Sequence, residues 1–152
     1  MGTELINGVF FYPLDPIITT GGRVLHAIKG IDKDLPEFGE CYFSTANTKQ
    51  PKAWKKHSKM ICNLFVPRGS VKFVFYDDRE DSSDHNKIVE FTISEKNYGR
   101  LVINPGIWFG FAGISESESL ILNVTNIVHD AAESIRLEPG SKEIPYEWKF
   151  NL

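Results

Sequence analysis

Nine short runs rich in aromatic and β-branched residues, with turn-forming residues in nearly every gap, limit what this chain can fold into. They span 8–12, 23–29, 40–46, 60–66, 71–76, 88–93, 100–103, 108–111 and 120–124. The gaps hold Thr20-Gly21-Gly22, Pro36-Glu37-Phe38-Gly39, Asp81-Ser82-Ser83-Asp84 and Asn104-Pro105-Gly106. Short strands at this density predict an all-β sandwich or jelly roll. Asp130 is placed to cap a helical turn over 130–135, ahead of Ala131-Ala132-Glu133. The tail, with Pro139-Gly140 and Ile144-Pro145-Tyr146-Glu147-Trp148, reads as irregular chain whose aromatics pack onto the barrel.

One stretch organises the rest. From Trp54 to Arg79, a cluster of cationic side chains runs straight into two strand-like segments. Residues 60–66 are nearly all apolar, as in a strand buried on both faces, and Pro67-Arg68-Gly69 carries turn chemistry before 71–76. The expectation is a hairpin with polar groups at its entrance and a ligand site at the mouth of a small barrel.

At 152 residues the chain is expected to form a single domain, 1–152, with a core of its own. Aromatics make up 12%, including eleven Phe, which suits a β-rich core. The net charge of −3 argues against general attraction to nucleic acid. Cys41 and Cys62 follow no framework spacing and read as buried thiols of a reducing compartment. No segment reaches the roughly 18 apolar residues of a membrane span, and a cytoplasmic location is expected.

Lys52, Lys55, Lys56, His57 and Lys59 crowd into eight residues. On a strand, Lys55, His57 and Lys59 would share a face. Three cations on one face repel one another unless an anion such as a diphosphate sits among them. The alternative is a solvated lysine-rich edge strand, which natural sheets use to block aggregation. Among the remaining histidines, His26 lies mid-run and reads as structural, and His85 sits in a polar loop. His129 follows a strand end, where a titratable group can reach a barrel mouth. A metal is not expected, because the cupin-type ligand slots are occupied by Lys55, Cys62 and Phe109.

The runs Gly21-Gly22-Arg23-Val24-Leu25-His26, Phe38-Gly39-Glu40-Cys41-Tyr42-Phe43-Ser44-Thr45 and Lys52-Ala53-Trp54-Lys55-Lys56-His57 resemble the dTDP-4-dehydrorhamnose 3,5-epimerase family, nearest to a shorter epimerase-related branch. So do Asn63-Leu64-Phe65-Val66-Pro67, Phe75-Tyr76-Asp77-Asp78-Arg79, Pro105-Gly106-Ile107-Trp108-Phe109-Gly110-Phe111, His129-Asp130 and Ile144-Pro145-Tyr146-Glu147-Trp148. The likeness runs from about Thr20 to Trp148. It implies a cupin-like double-stranded β-helix, or jelly-roll barrel, with a short irregular C-terminal segment. It also implies a homodimer exchanging N-terminal strands, a dTDP-linked nucleotide-sugar ligand and no cofactor, while charge and hydropathy argue against a nucleic-acid or membrane partner.

The family reaction removes a proton beside a keto group and returns it on the opposite face, through an enolate-like intermediate. The resemblance places Lys55 in the slot of the family's His base, beside Lys56 and His57 as cations that lower its pKa. It places His129 nearest the acid slot, and Phe109 where a second pocket His stands. Arg23 and Lys52 match phosphate-contacting positions, with His57 and Lys59 beside them. The longer enzymes use a late Asp to orient the base, and no counterpart stands out here. Two functions follow: a nucleotide-sugar epimerase-like enzyme of polysaccharide or deoxysugar synthesis, or a catalytically idle sugar-nucleotide-binding or assembly protein that kept the fold.

Overall fold

A computed structural model of the chain describes residues 1–150. Two antiparallel sheets face each other. The first, six-stranded, contains β1 (Thr3–Ile6), β2 (Val9–Pro13), β5 (Glu40–Ala46), β7 (Cys62–Arg68), β10 (Gly99–Ile103) and β12 (Ser119–Thr125), in the order β1-β2-β10-β7-β12-β5. The second holds β6 (Lys52–His57), β8 (Ser70–Tyr76), β9 (Ile88–Ser94), β11 (Trp108–Gly113) and β13 (Ser134–Arg136), in the order β13-β6-β11-β8-β9. A separate hairpin pairs β3 (Ile17–Thr19) with β4 (Gly22–Val24). This is a jelly roll, one of the two all-β forms that the spacing of strands and turns predicts, and of the cupin-like kind that the resemblance implies.

Side chains from both sheets meet in a core that includes Val9, Leu64, Val66, Val71, Phe73, Phe75, Ile93, Leu101, Ile103 and Ile121. Each such side chain, fully buried, contributes roughly 1.5–3 kcal/mol. Alternation along β12 shows why these residues form this strand: Ile121 faces the main core while Leu122 turns to a satellite cluster around Phe65, Tyr98 and Val124.

The expected hairpin over 60–76 does not form. β7 belongs to the six-stranded sheet and β8 to the five-stranded one, so the chain crosses between layers instead of folding back within one. Gly69 makes the crossing at φ +90°, and a Cβ there would lie 2.3 Å from Ser119 Oγ. Pro67 sits inside β7 instead of in a turn. The crossing is what lets two apolar runs, successive in sequence, enter one core from opposite sheets.

Two further expectations change. The run 23–29 is strand only as far as Val24. Leu25, Ala27 and Ile28 instead pack by side chain against the Phe65–Tyr98–Val124 cluster, and no neighbouring backbone ladder takes them up. Cys41 is exposed, because it points outward from an edge strand, whereas Cys62 is buried. The helical turn is a 3-10 turn over Ala131–Glu133, with Asp130 Oδ1 accepting the Ala132 amide at 2.9 Å.

The C-terminal aromatics pack where the sequence places them. Tyr146 and Trp148 meet Trp54 of β6 at ring-centroid distances of 5.8 and 5.4 Å. Lys72 Nζ lies 5.2–5.8 Å from the rings of Tyr146, Trp148 and Phe150. The tail thereby backs β6 from outside and fixes the strand whose other face lines the site.

Candidate active site

A cavity of about 720 Å³ opens between the two sheets. Lys52, Lys55, His57, Phe109, Phe111 and Arg136 line it from the five-stranded sheet, and Tyr42, Ser44, Leu64 and Asn123 from the six-stranded one. Lys55 and His57, two apart on β6, both face inward. Lys56 between them turns away, to Asp78 at 2.9 Å and over the Trp108 ring at 4.9 Å. Phe109 is register-paired with Lys55 and stacks beside His57, the ring centroids 6.0 Å apart.

His57 does not stand alone. Its Nδ1 is bonded to Oε1 of Glu133, from the 3-10 turn, and both residues are buried at 6% and 7% exposure. Oε2 of the same carboxylate accepts the backbone amides of Ser58, Lys59 and Met60 at 3.2, 3.0 and 3.2 Å. Burial by itself would raise the Glu133 pKa. The His57 bond and the Lys59 and Met60 amides outweigh it and hold the carboxyl below its ordinary range. Burial is also the largest influence on His57 and pulls its pKa below 6.5 against the opposing attraction of Glu133. The pair therefore rests as a carboxylate and a neutral imidazole, with Nδ1–H donated to Glu133 and Nε2 basic.

Lys55 is also shifted downward, by burial first and then by Arg136. Lys52 adds to this, while Glu133 opposes it. The cations that act on Lys55 are thus Arg136 and Lys52. Lys56, expected to share in this, is ion-paired on the opposite face. Cys62, pushed up to about 12 by burial, is a thiol without reactive character at neutral pH.

Other predicted residues lie elsewhere. Lys59 falls beyond the end of β6 and is exposed, so the face shared with Lys55 and His57 ends at His57. His129 is exposed, its backbone N–H donated to Glu40 Oε1 at 3.0 Å, and does not line the cavity. Arg23 sits on the β3–β4 hairpin, paired with Glu95 at 3.2 Å, outside this chain's cavity. The acid that does stand in the site is Glu133, which holds His57 and not Lys55, and which the sequence offered only as part of a helical turn. Tyr42, Asn123 and Arg136 also escaped the sequence reading. Only alternation along β5 and β12 could have flagged the first two. Among the described residues, no group of three or more His, Cys, Asp or Glu side chains is arranged to hold a metal ion.

Fold and cavity together define a small jelly roll whose interior carries an acid-oriented imidazole among cationic side chains. A dTDP sugar isomerase from Desulfovibrio desulfuricans is 35% identical and superposes with a TM-score of 0.90, covering 94% of this chain and 92% of that one. The spore coat polysaccharide biosynthesis protein SpsL of Bacillus subtilis is 27% identical over 143 residues, 94% of this chain and 91% of its own. A probable low-salt glycan biosynthesis epimerase of Haloferax volcanii is 31% identical over 107 residues, which span 70% of this chain but only 65% of that relative. No protein-family profile matches the chain. The chain belongs to the dTDP-4-dehydrorhamnose 3,5-epimerase family.

Proposed function

We propose that this protein is a nucleotide-sugar epimerase that acts beside the 4-keto group of a dTDP-linked sugar, in polysaccharide or deoxysugar synthesis. The observation that carries this reading is the buried His57–Glu133 pair in a cavity rimmed by Lys52, Lys55 and Arg136. A neutral imidazole held by a carboxylate is a base that needs no further activation at neutral pH. His57 Nε2 takes the proton beside the keto group, and Glu133 stabilises the imidazolium that results. Lys55, the neighbour on the same strand face, stabilises negative charge developing on the keto oxygen. Lys52 and Arg136 hold the diphosphate, and the Phe109 ring supplies an apolar surface for the sugar.

Arg23 reaches the ligand only from a partner subunit in this reading. The support is its place on a hairpin that exposes Ile17, Ile18 and Val24 at 49%, 77% and 45%. A homodimer that covers this apolar hairpin would bring Arg23 to the neighbouring cavity. Proton transfer here needs neither a metal nor a redox cofactor. The protein acts in the cytoplasm, where sugar nucleotides are made.

A second reading has its own support: the slot of the family's base is occupied by Lys55, which is what an idle binding protein would show. One experiment decides between them. Dissolved in deuterium oxide with dTDP-4-keto-6-deoxyglucose, the wild type is expected to introduce deuterium beside the carbonyl, and His57→Asn to lose that exchange by at least a hundredfold. Binding without exchange in the wild type would establish the idle protein instead.

A further inference from the structure

The base and cations belong to the five-stranded sheet, which leaves the facing wall without a role. That wall presents Tyr42 and Ser44 from β5 and Asn123 from β12. Tyr42 and Ser44, two apart, look into the cavity, while Phe43 between them is 65% exposed. Tyr42 and Asn123 are direct partners in the β5–β12 ladder. Asn123, only 5% exposed, donates its Nδ2–H to the phenol oxygen of Tyr42 at 3.0 Å. A phenol that accepts from an amide turns its own hydrogen away from that amide. Tyr42 lines the cavity and is 43% exposed, which leaves its hydroxyl hydrogen free for a bound sugar.

We propose that Tyr42 is the acid that delivers a proton to the face of the sugar carbon turned away from His57. This rests on the epimerase reading of the cavity. His57 Nε2 removes the proton beside the keto group, and the C–H electron pair becomes the C=C bond of an enolate. That pair then takes the Tyr42 hydroxyl proton from the opposite side, leaving a phenolate. The phenolate regains a proton from water and the imidazolium releases one, so one proton enters, one leaves, and nothing is oxidised. Burial raises the Tyr42 pKa, so the phenol holds its proton through the neutral range. The two groups stand on opposite sheets, which is the placement that inversion requires. His129, nearest the acid slot by sequence, lies outside the cavity.

The test follows two signals in one tube of dTDP-4-keto-6-deoxyglucose in deuterium oxide: deuterium incorporated with retained configuration, and inverted product. Tyr42→Phe is expected to lower inverted product by roughly a hundredfold. Retained exchange should fall by less than about tenfold, because His57 can return a deuteron to its own face. His57→Asn loses both signals. Should Tyr42→Phe fail to fold, 3-fluorotyrosine introduced at Tyr42, with its more acidic phenol, moves the alkaline limb of the inverted-to-retained ratio, from which the titration of Lys55 cancels, to lower pH, a change that a packing role would not produce. Inverted product at the wild-type rate in Tyr42→Phe, or an unmoved alkaline limb in the fluorinated protein, overturns the assignment of Tyr42 and leaves the epimerase reading intact. A wild type silent in both signals overturns the epimerase reading itself.

Discussion

Glu133 grips Nδ1 of His57 from a 3-10 turn 76 residues further along the chain, and it ties down the three amides that follow His57 with its other oxygen. One carboxylate thus sets the ring orientation and closes the end of β6. Glu133→Gln is expected to reduce turnover by a hundredfold or more with little change in KM, because a neutral amide neither fixes the tautomer nor stabilises an imidazolium. Glu133→Ala also leaves the buried Met60 amide without its acceptor, at about 1–3 kcal/mol, and should lower the midpoint of thermal unfolding. Unchanged kcat in Glu133→Gln would show the pair to be structural only.

The pH dependence of turnover is expected to be bell-shaped. His57 works as the neutral base, and its pKa lies below 6.5, so activity rises with pH through the acid range and is already complete near neutrality. Lys55 works as a cation, and its pKa lies below 10.5, so activity falls earlier on the alkaline side than an ordinary lysine would allow. Lys55→Arg should push the alkaline limb upward. A profile in which activity first appears on the alkaline side would assign the base to Lys55 instead.

Affinity for dTDP should depend on the cationic rim. Each direct charge-assisted contact to the diphosphate is worth roughly 1.5–3 kcal/mol, so Lys52→Ala and Arg136→Ala should each weaken binding about ten- to a hundredfold by calorimetry. Lys59→Ala, exposed beyond the end of β6, should bind as the wild type does. Equal affinity across all three variants would move the diphosphate out of this cavity.

Association should be broken at the β3–β4 hairpin. Ile18→Lys places a charge on its most exposed apolar side chain, at 77%, and is expected to give a monomer by light scattering. Arg23→Ala should weaken dTDP binding in the dimer and have no effect in the Ile18→Lys background. A wild type that is monomeric at micromolar concentration would remove Arg23 from the site.

Acid stability should report on Asp77, which is wholly buried and bonded to Arg79 at 2.8 Å. Burial raises its pKa, but the bonds from Arg79 and Ser82 prevail and bring it from 3.8 to about 2. A carboxyl lowered on folding stabilises the native state above its unfolded pKa, and the contribution disappears as pH falls through the folded one. The shift corresponds to about 2 kcal/mol at neutral pH, lost between roughly pH 4 and 2. Asp77→Asn should therefore flatten the stability curve in that window, as measured by urea unfolding at a series of pH values.

The strand pattern and turn residues were legible because they are local: 40–46, 71–76 and 120–124 alternate or run apolar in ways that only a β layer satisfies. Of the basic face expected from Lys55, His57 and Lys59, the first two line the cavity, from the strand Lys52–His57. Composition along the chain thus determined an all-β fold, sandwich or jelly roll, with one strongly basic segment. Which layer each strand joins was not encoded locally. A single glycine at residue 69 sends β8 to the sheet opposite β7, and a sequence window sees only two apolar runs with a turn between them. The same holds for the chemistry. Glu133 looks like the third residue of a capped turn, Tyr42 like one aromatic among many, and Arg136 like a tail cation. Their meeting with His57 and Lys55 depends on β13 pairing with β6 and on β5 closing the facing sheet. Long-range pairing of this kind is fixed by burial summed over both sheets, which is why only the tertiary structure could decide which carboxylate holds the imidazole.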